Sequence, residues 1–405
     1  MFIFITVMLD MLALGMIIPV LPLLIETFRG GDTASAARMV GIFGMSWAAV
    51  QLFAAPLLGS LSDRFGRRPV VLLSNLGLGL DYILMALAPT LGWLFVGRLI
   101  SGVTSASVPT AYAYIADVTP PDRRAKSFGM LGAAFGIGFV LGPALGGLLG
   151  TWGPRAPFWV AAALSLANAT YGYFILPESL AAAHRAPFSW KRANPMGALR
   201  LLRSERTLTG LAVVHSLYHL AHHSLSAVFV LNVSYRFGWS SATVGLTLAI
   251  MGVCSAIVQG GLVGPIVKRF GERRTLIAGL ACGTVAFAAY GLAPSGGIFL
   301  LAIPIMAFWG MYGPASQGVI TRLVGRERQG TLQGAFASVQ MATGIVGPLV
   351  FSEIFARAID PRSSWHLPGA PFVVSSVLLT VAIAVAINAT RPGLPGTTHA
   401  APTSS

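Results

Sequence analysis

The chain has 405 residues, of which 55% are hydrophobic and only 10% charged, with a mean hydropathy of +0.74. So few charges cannot solvate the surface of two or three soluble domains, and most of the chain belongs in a bilayer. The net charge of +14 does not indicate nucleic-acid binding, because the 27 Lys and Arg fall in short clusters between long apolar runs rather than on one face.

Crossing about 30 Å of hydrocarbon takes about 20 apolar residues, and cutting the sequence at charge clusters and turn residues predicts an all-α membrane protein of twelve such helices. They cover 2–25, 39–61, 70–89, 92–116, 126–150 and 156–176, then 207–231, 241–266, 275–293, 297–321, 330–356 and 370–389. The first segment begins at Phe2, runs past Pro22 and has neither a charged leader nor a cleavage pattern, so it reads as a span rather than a signal peptide. Cys254 and Cys282 lie inside apolar runs and imply no disulfide framework or metal site. The stretch 177–206, with Pro187, Lys191, Arg192 and Pro195, is expected to be a cytoplasmic linker. It separates six-helix bundles at 1–176 and 207–390, and 391–405 is expected to be a disordered cytoplasmic tail. Loops on the linker's side hold 20 Lys and Arg and the alternate loops six, which by the positive-inside rule puts both termini in the cytoplasm. The 24 Arg against three Lys point to a GC-rich bacterial genome.

The two halves repeat. A shift of 205 residues lays Gly59-Ser-Leu-Ser-Asp63-Arg64-Phe65-Gly66-Arg67-Arg68 onto Gly264-Pro-Ile-Val-Lys268-Arg269-Phe270-Gly271-Glu272-Arg273. The same shift lays Gly142-Pro143 onto Gly347-Pro348 and Arg123 onto Arg328. One constant offset across several loops and helices implies two six-helix pseudo-symmetric halves of the same topology.

Four motifs carry a family resemblance. They are Gly59 to Pro69 between helices 2 and 3; Leu9-Asp10, Gly15 and Pro19-Val-Leu-Pro22 in helix 1; Gly97-Arg98-Leu-Ile-Ser-Gly102 in helix 4; and Gly129, Gly138, Gly142-Pro143 and Gly146-Gly147 in helix 5. With them the chain resembles the major facilitator superfamily over nearly its whole length, and within it the twelve-helix drug:proton antiporters of the tetracycline-resistance kind. The resemblance implies a multi-pass protein of the bacterial inner membrane that exchanges protons for an amphipathic drug. Tetracycline, free or as a divalent-metal chelate, is the substrate it suggests, with no cofactor and no resident metal. It further implies a cytoplasmic gate at Gly59, Asp63, Arg64, Gly66, Arg67 and Arg68, with Asp117 at the end of helix 4 as a partner for one arginine. The helix-5 motif, Gly138, Gly142, Pro143, Gly146 and Gly147, is implied to seal the central cavity.

The residues also have a physical reading of their own. Gly138, Gly142 and Gly146 line one helix face, which serves either ordinary close packing or a bend shared by both halves. Ionisable groups in hydrocarbon are costly and usually face a cavity or a partner, which singles out Asp10, Asp81 and Arg98. Asp81 and Arg98 lie almost equally far from the turn joining helices 3 and 4, as a charge pair that aids folding or as a shared site. Asp10 is either a carboxylate exchanging a proton for a cationic substrate or an acid snorkelling to the membrane surface. The 205-residue shift lays Asp10 on His215, which His219, His222 and His223 follow at helical spacing. Those histidines read as a cavity wall, as aromatic packing or as a metal site. Glu353 reads as interfacial.

Two features depart from the resemblance. Tetracycline antiporters of the best-known kind carry an acid in helix 9 and a histidine in helix 8, whereas 275–293 here has no Asp or Glu and 241–266 no His. A symporter or facilitator for a sugar or other metabolite shares the fold and stays open as the alternative. No nucleotide-binding loop is present, so an ATP-driven exporter is disfavoured, and neither an enzyme nor a nucleic-acid partner is expected.

Overall fold

The computed structural model describes residues 2–104, 107–120, 123–181, 183, 185, 202, 206–324, 329–363 and 366–391. Most of the expected linker and tail therefore lie outside the described residues, as does Arg328. The helices in chain order are α1 Phe2–Ile17, α2 Leu21–Phe28, α3 Thr33–Phe65, α4 Arg67–Leu87, α5 Leu91–Thr104, α6 Ser107–Val118, α7 Arg124–Leu149, α8 Ala156–Ile175 and α9 Arg206–Phe237. They continue with α10 Ser241–Ile257, α11 Val263–Phe270, α12 Glu272–Leu292, α13 Gly296–Leu301, α14 Ile303–Trp309, α15 Tyr312–Thr321, α16 Gln329–Ala358 and α17 Ala370–Ala389.

Among the described residues, ten helical segments are long and apolar enough to cross a membrane, against the twelve read from the sequence. The two other expected positions are held by the shorter pair α5 and α6 and by α9, whose histidines lower its hydropathy. Several expected spans are interrupted for local reasons. The first is broken after Ile17 at Pro19, whose ring cannot continue the backbone ladder. The tenth falls into α13, α14 and α15 around Pro304 and Gly310, and Val258–Leu262, with Gly260 and Gly261, forms a π turn between α10 and α11.

Apolar side chains fill the interior and also cover much of the outer surface, as a lipid solvent allows, while buried polar groups such as Asn75 sit on inward faces. On α4 the face bearing Asn75, Leu78, Tyr82 and Met85 is buried, while Leu73, Leu80 and Leu87, one or two heptads apart, are exposed. The described residues pack into two compact units. The first takes in Met1–Asn194, Ser226–Val253 and Pro348–Pro368. There α1 packs on α7, α8 and α6, α4 on α8 and α5, and α3 on α5. Ile3, Val7 and Met11, four residues apart on α1, form an apolar core with Ala111, Tyr114, Leu131 and Ala134. The second unit takes in Pro195–Leu225, Cys254–Gly347 and Gly369–Ser405, and is centred on α12 against α14, α15 and α17. Its core includes Tyr290 and Phe299 stacked 4.0 Å apart, with Phe372 edge-on to both. This division by packing cuts through α9, α10 and α16, whereas the halves expected at 1–176 and 207–390 are a division by repeat.

The repeat is also visible in local geometry. Gly66, with φ +106°, ends α3 and starts α4; Gly271, with φ +78°, does the same for α11 and α12. Both occupy the left-handed region that glycine tolerates without cost, and both donate to the carbonyl four residues back.

Candidate functional site

The first unit holds a buried polar cluster assembled by α1, α4 and α8. Asp10 lies one turn after Thr6 on α1 and is 6% exposed. Asn168 of α8 donates from its side-chain amide to Asp10 Oδ1 at 2.9 Å and to the Thr6 carbonyl at 2.9 Å. With its amide nitrogen turned toward Asp10, Asn75 of α4 lies 2.9 Å from both carboxylate oxygens and accepts from Asn168 at 3.1 Å. Both asparagines are fully buried, so the carboxylate is solvated by two amides in place of water. Tyr82 lies seven residues beyond Asn75 on the same face, and helical side chains lean toward the N-terminus, which directs its ring back along α4.

Asp81 is held differently. It is 1% exposed and neither carboxylate oxygen has a hydrogen-bond partner among the described residues. Its Oδ1 lies where a Cβ on Gly97 would come within 3.0 Å, so the glycine of α5 makes room for the acid. Arg98, next in sequence, is close enough to interact with its charge without a direct ion pair. The Arg98 guanidinium instead sits over the Trp47 ring at 5.4 Å. Of the four residues expected to share one site, Asp10, Asp81 and Arg98 are in the first unit and His215 is in the second.

The loop signature closes on Arg67. Its guanidinium donates to Asp63 at 2.5 Å, Ser62 at 2.7 Å and Asp117 at 3.1 Å, and its backbone N–H donates to Glu178 at 2.9 Å. Glu178 thus caps the N-terminus of α4, and a side chain at Gly66 would collide with its carboxylate. Arg68 donates to the Tyr173 carbonyl at 2.5 Å, Arg64 lies over the Phe65 ring at 5.1 Å, and a Cβ on Gly59 would meet open space. In the second unit Arg322 pairs with Glu272 at 2.7 Å. The 205-residue shift carries Asp63, Arg67 and Asp117 onto Lys268, Glu272 and Arg322, so all three charges are inverted at equivalent positions. Glu178, Glu272 and Arg322 were not singled out from the sequence because charges in the loops between apolar helices are ordinary; the sign inversion under the common offset was the available signal.

The glycine motif of α7 packs against α1. A Cβ on Gly138 would come within 2.5 Å of the Met11 Cβ, one on Gly142 within 2.7 Å of the Gly15 Cα, and one on Gly146 within 2.6 Å of the Met16 Cα. Gly147 faces a different helix, within 2.9 Å of Gly245 on α10 by the same measure, and Gly129 faces open space. Pro143 borders the position a Gly15 side chain would take. Glu353, expected at the interface, pairs with Arg38 at 2.9 Å and Arg357 at 2.7 Å.

The histidines of α9 lie among rings. His215 and His219 are 4.3 Å apart, the Tyr312 hydroxyl is 3.5 Å from His215 Nδ1, and the Phe336 ring lies edge-on to His215 at 5.0 Å. Among the described residues no group of three or more His, Cys, Asp or Glu is placed to hold a metal ion. The aromatic partners Trp309 and Tyr312 were not singled out from the sequence, since an aromatic side chain in an apolar helix has no distinguishing local signal.

Many apolar helices, acids buried between them and a repeated half define a multi-pass membrane protein built around polar groups in its interior. The chain belongs to the Major Facilitator Superfamily, whose model matches residues 3–348 and 211–402. It is 37% identical to the class C tetracycline resistance protein of Escherichia coli, over 93% of each chain, and 38% identical to the class E protein of Escherichia coli, over 89% of this chain and 88% of that one. In fold it is similar to the nucleoside transporter NupG, with a TM-score of 0.77 and 14% identity over 96% of this chain and 98% of that one.

Proposed function

We propose that this protein is a proton-coupled antiporter that exports an amphipathic, tetracycline-like drug across the bacterial cytoplasmic membrane. The observation that carries the reading is Asp81, buried, without a hydrogen bond among the described residues and within reach of the Arg98 charge, inside a chain more than a third identical to tetracycline resistance proteins. An ionised carboxylate in such a place costs about 3 kcal/mol or more unless compensated, so it alternates between holding a proton and facing a cation. Asp10, solvated by Asn75 and Asn168, is a second carboxylate shared by proton and substrate, and Arg98 sets the affinity of Asp81 for both. Arg67 with Asp63 and Asp117 closes the cytoplasmic end, with Gly59, Arg64, Gly66 and Arg68 shaping the same turn. Close packing of Gly138, Gly142, Pro143 and Gly146 on the first helix, and of Gly147 on α10, seals the cavity against proton leak.

Two six-helix halves, 1–176 and 207–390, rock about the cavity with both termini and the linker in the cytoplasm. The substrate, free or as a metal chelate, is carried and not converted, no cofactor or nucleic acid takes part, and the proton gradient is the energy source. The test is uphill drug uptake into inside-out vesicles energised only by a pH gradient. Asp81→Asn is expected to abolish accumulation while leaving the amount of inserted protein unchanged. Full uphill transport by Asp81→Asn would remove Asp81 from the coupling site.

A further inference from the structure

The two halves of the repeat differ sharply in chemistry. The 205-residue shift replaces Asn75 by Leu280, Asp81 by Ala286, Tyr82 by Phe287, Arg98 by Ile303 and Asn168 by Val373, and leaves only His215 in place of Asp10. Where the first half buries charge and amides, the second sets His215, His219, His222 and His223 on one helix beside aromatic rings. Residues 207–235 of α9 contain no Asp, Glu, Lys or Arg, yet His215, Tyr218, His219 and His222 recur at spacings of three, four and seven, along one face.

These rings form two layers. Behind lie Trp309 and Tyr312, both buried, and glycines make the room they need: a Cβ on Gly283 would come within 2.9 Å of the Trp309 indole, and one on Gly279 within 2.9 Å of the Tyr312 backbone. In front, Tyr218 stacks on Tyr312 at 4.0 Å and 22°, His222 stacks on Trp309 at 5.5 Å and 30°, and His215 and His219 continue the layer. The front layer is only partly covered, and the His222 side chain is exposed. A histidine is costly against lipid tails, so a ring face left open there belongs to an aqueous cavity. Two fully buried polar atoms of these rings, Nε2 of His215 and Nε1 of Trp309, have no hydrogen-bond partner among the described residues. With no three-ligand metal group among the described residues, the imidazoles are presented as ring faces and not as a chelate.

We propose that the open face of His215, Tyr218, His219 and His222, backed by Trp309 and Tyr312, binds a planar fused-ring molecule by stacking. This rests on the efflux reading above and deepens it: the ring system of the drug lies on the second half, while the proton is handled by the acids of the first. A layer with no Asp, Glu, Lys or Arg offers ring faces rather than a fixed charge, and selects for flatness rather than for one substituent pattern.

The test is equilibrium binding of two probes, tetracycline and the planar dye ethidium, to the purified full-length protein in lipid nanodiscs. His222→Ala and Tyr218→Ala are expected to weaken both probes about three- to tenfold, and His222→Phe and Tyr218→Phe to stay within about twofold of the starting protein. Thermal unfolding of each variant identifies loss of fold, and exposed His222 carries the test if Tyr218→Ala does not fold. Unchanged binding in His222→Ala, an equal loss in His222→Phe, or failure of the unmutated protein to bind either probe would overturn the stacking site. Failure of the efflux reading shows elsewhere, as unchanged drug tolerance in a pump-deficient bacterium expressing the chain, and leaves ring binding to be judged by its own result.

Discussion

Asp10 and Asp81 are both buried acids, but the protein surrounds them in opposite ways. Asp10 has amide hydrogens from two asparagines, whereas Asp81 packs closely against Gly97 with no hydrogen bond among the described residues and lies in the field of Arg98. Removing a partner from a buried polar group costs about 1–3 kcal/mol, because the group left behind keeps its desolvation penalty. Asn168→Leu is therefore expected to lower the thermal midpoint measurably, and Asp10→Asn combined with Asn168→Leu to lose less than the two single losses added together. Additive losses, measured by thermal unfolding in detergent, would show that the two residues do not act as one unit. The acids were legible in the sequence because an ionisable side chain in an apolar run stands out by cost alone. Their amide partners were not, since a neutral Asn in a membrane helix is cheap enough to occur without a role, and only the structure places Asn75 and Asn168 on the same carboxylate.

Among the elements, the paired turns at Gly66 and Gly271 are the clearest product of the repeat, and the charges around them are reversed in sign. An ion pair is indifferent to which helix supplies which charge, so a clasp of inverted polarity can hold equivalent turns. Arg67→Glu alone places a third acid between Asp63 and Asp117 and is expected to abolish transport. Adding Asp63→Lys and Asp117→Arg, which copies the signs of Lys268, Glu272 and Arg322, is expected to recover a measurable part of it in the vesicle assay. No recovery in a triple variant that inserts normally would mean that polarity, not pairing, matters at this turn. Helix positions were legible from apolar run length, because a span must be about 20 residues long whatever its neighbours do. The breaks at Pro19, at Pro304 with Gly310 and in the π turn at Val258–Leu262 were not. Proline and glycine are common in membrane helices and interrupt only those whose neighbours resupply the freed backbone groups.

At the scale of the molecule, one ancestral six-helix pattern serves two chemistries. On the proposed function, the acids, amides and arginine of the first half bind the protons, and on the further inference the rings of the second half hold the drug. The same proposal accounts for the absence here of the helix-8 and helix-9 groups of the best-known tetracycline antiporters, since it assigns coupling to Asp10 and Asp81. Family and fold were legible because the loop signature and glycine motif are contiguous in sequence, whereas the division of labour needed the ring contacts of the second unit. The most direct measurement is proton movement across sealed proteoliposomes containing the purified protein, followed with a pH dye as a drug gradient is imposed. The account predicts that tetracycline moving one way drives protons the other way, that the flux ratio is fixed, and that Asp81→Asn removes it. Protons moving in the same direction as the drug, or drug movement without any proton flux, would contradict it.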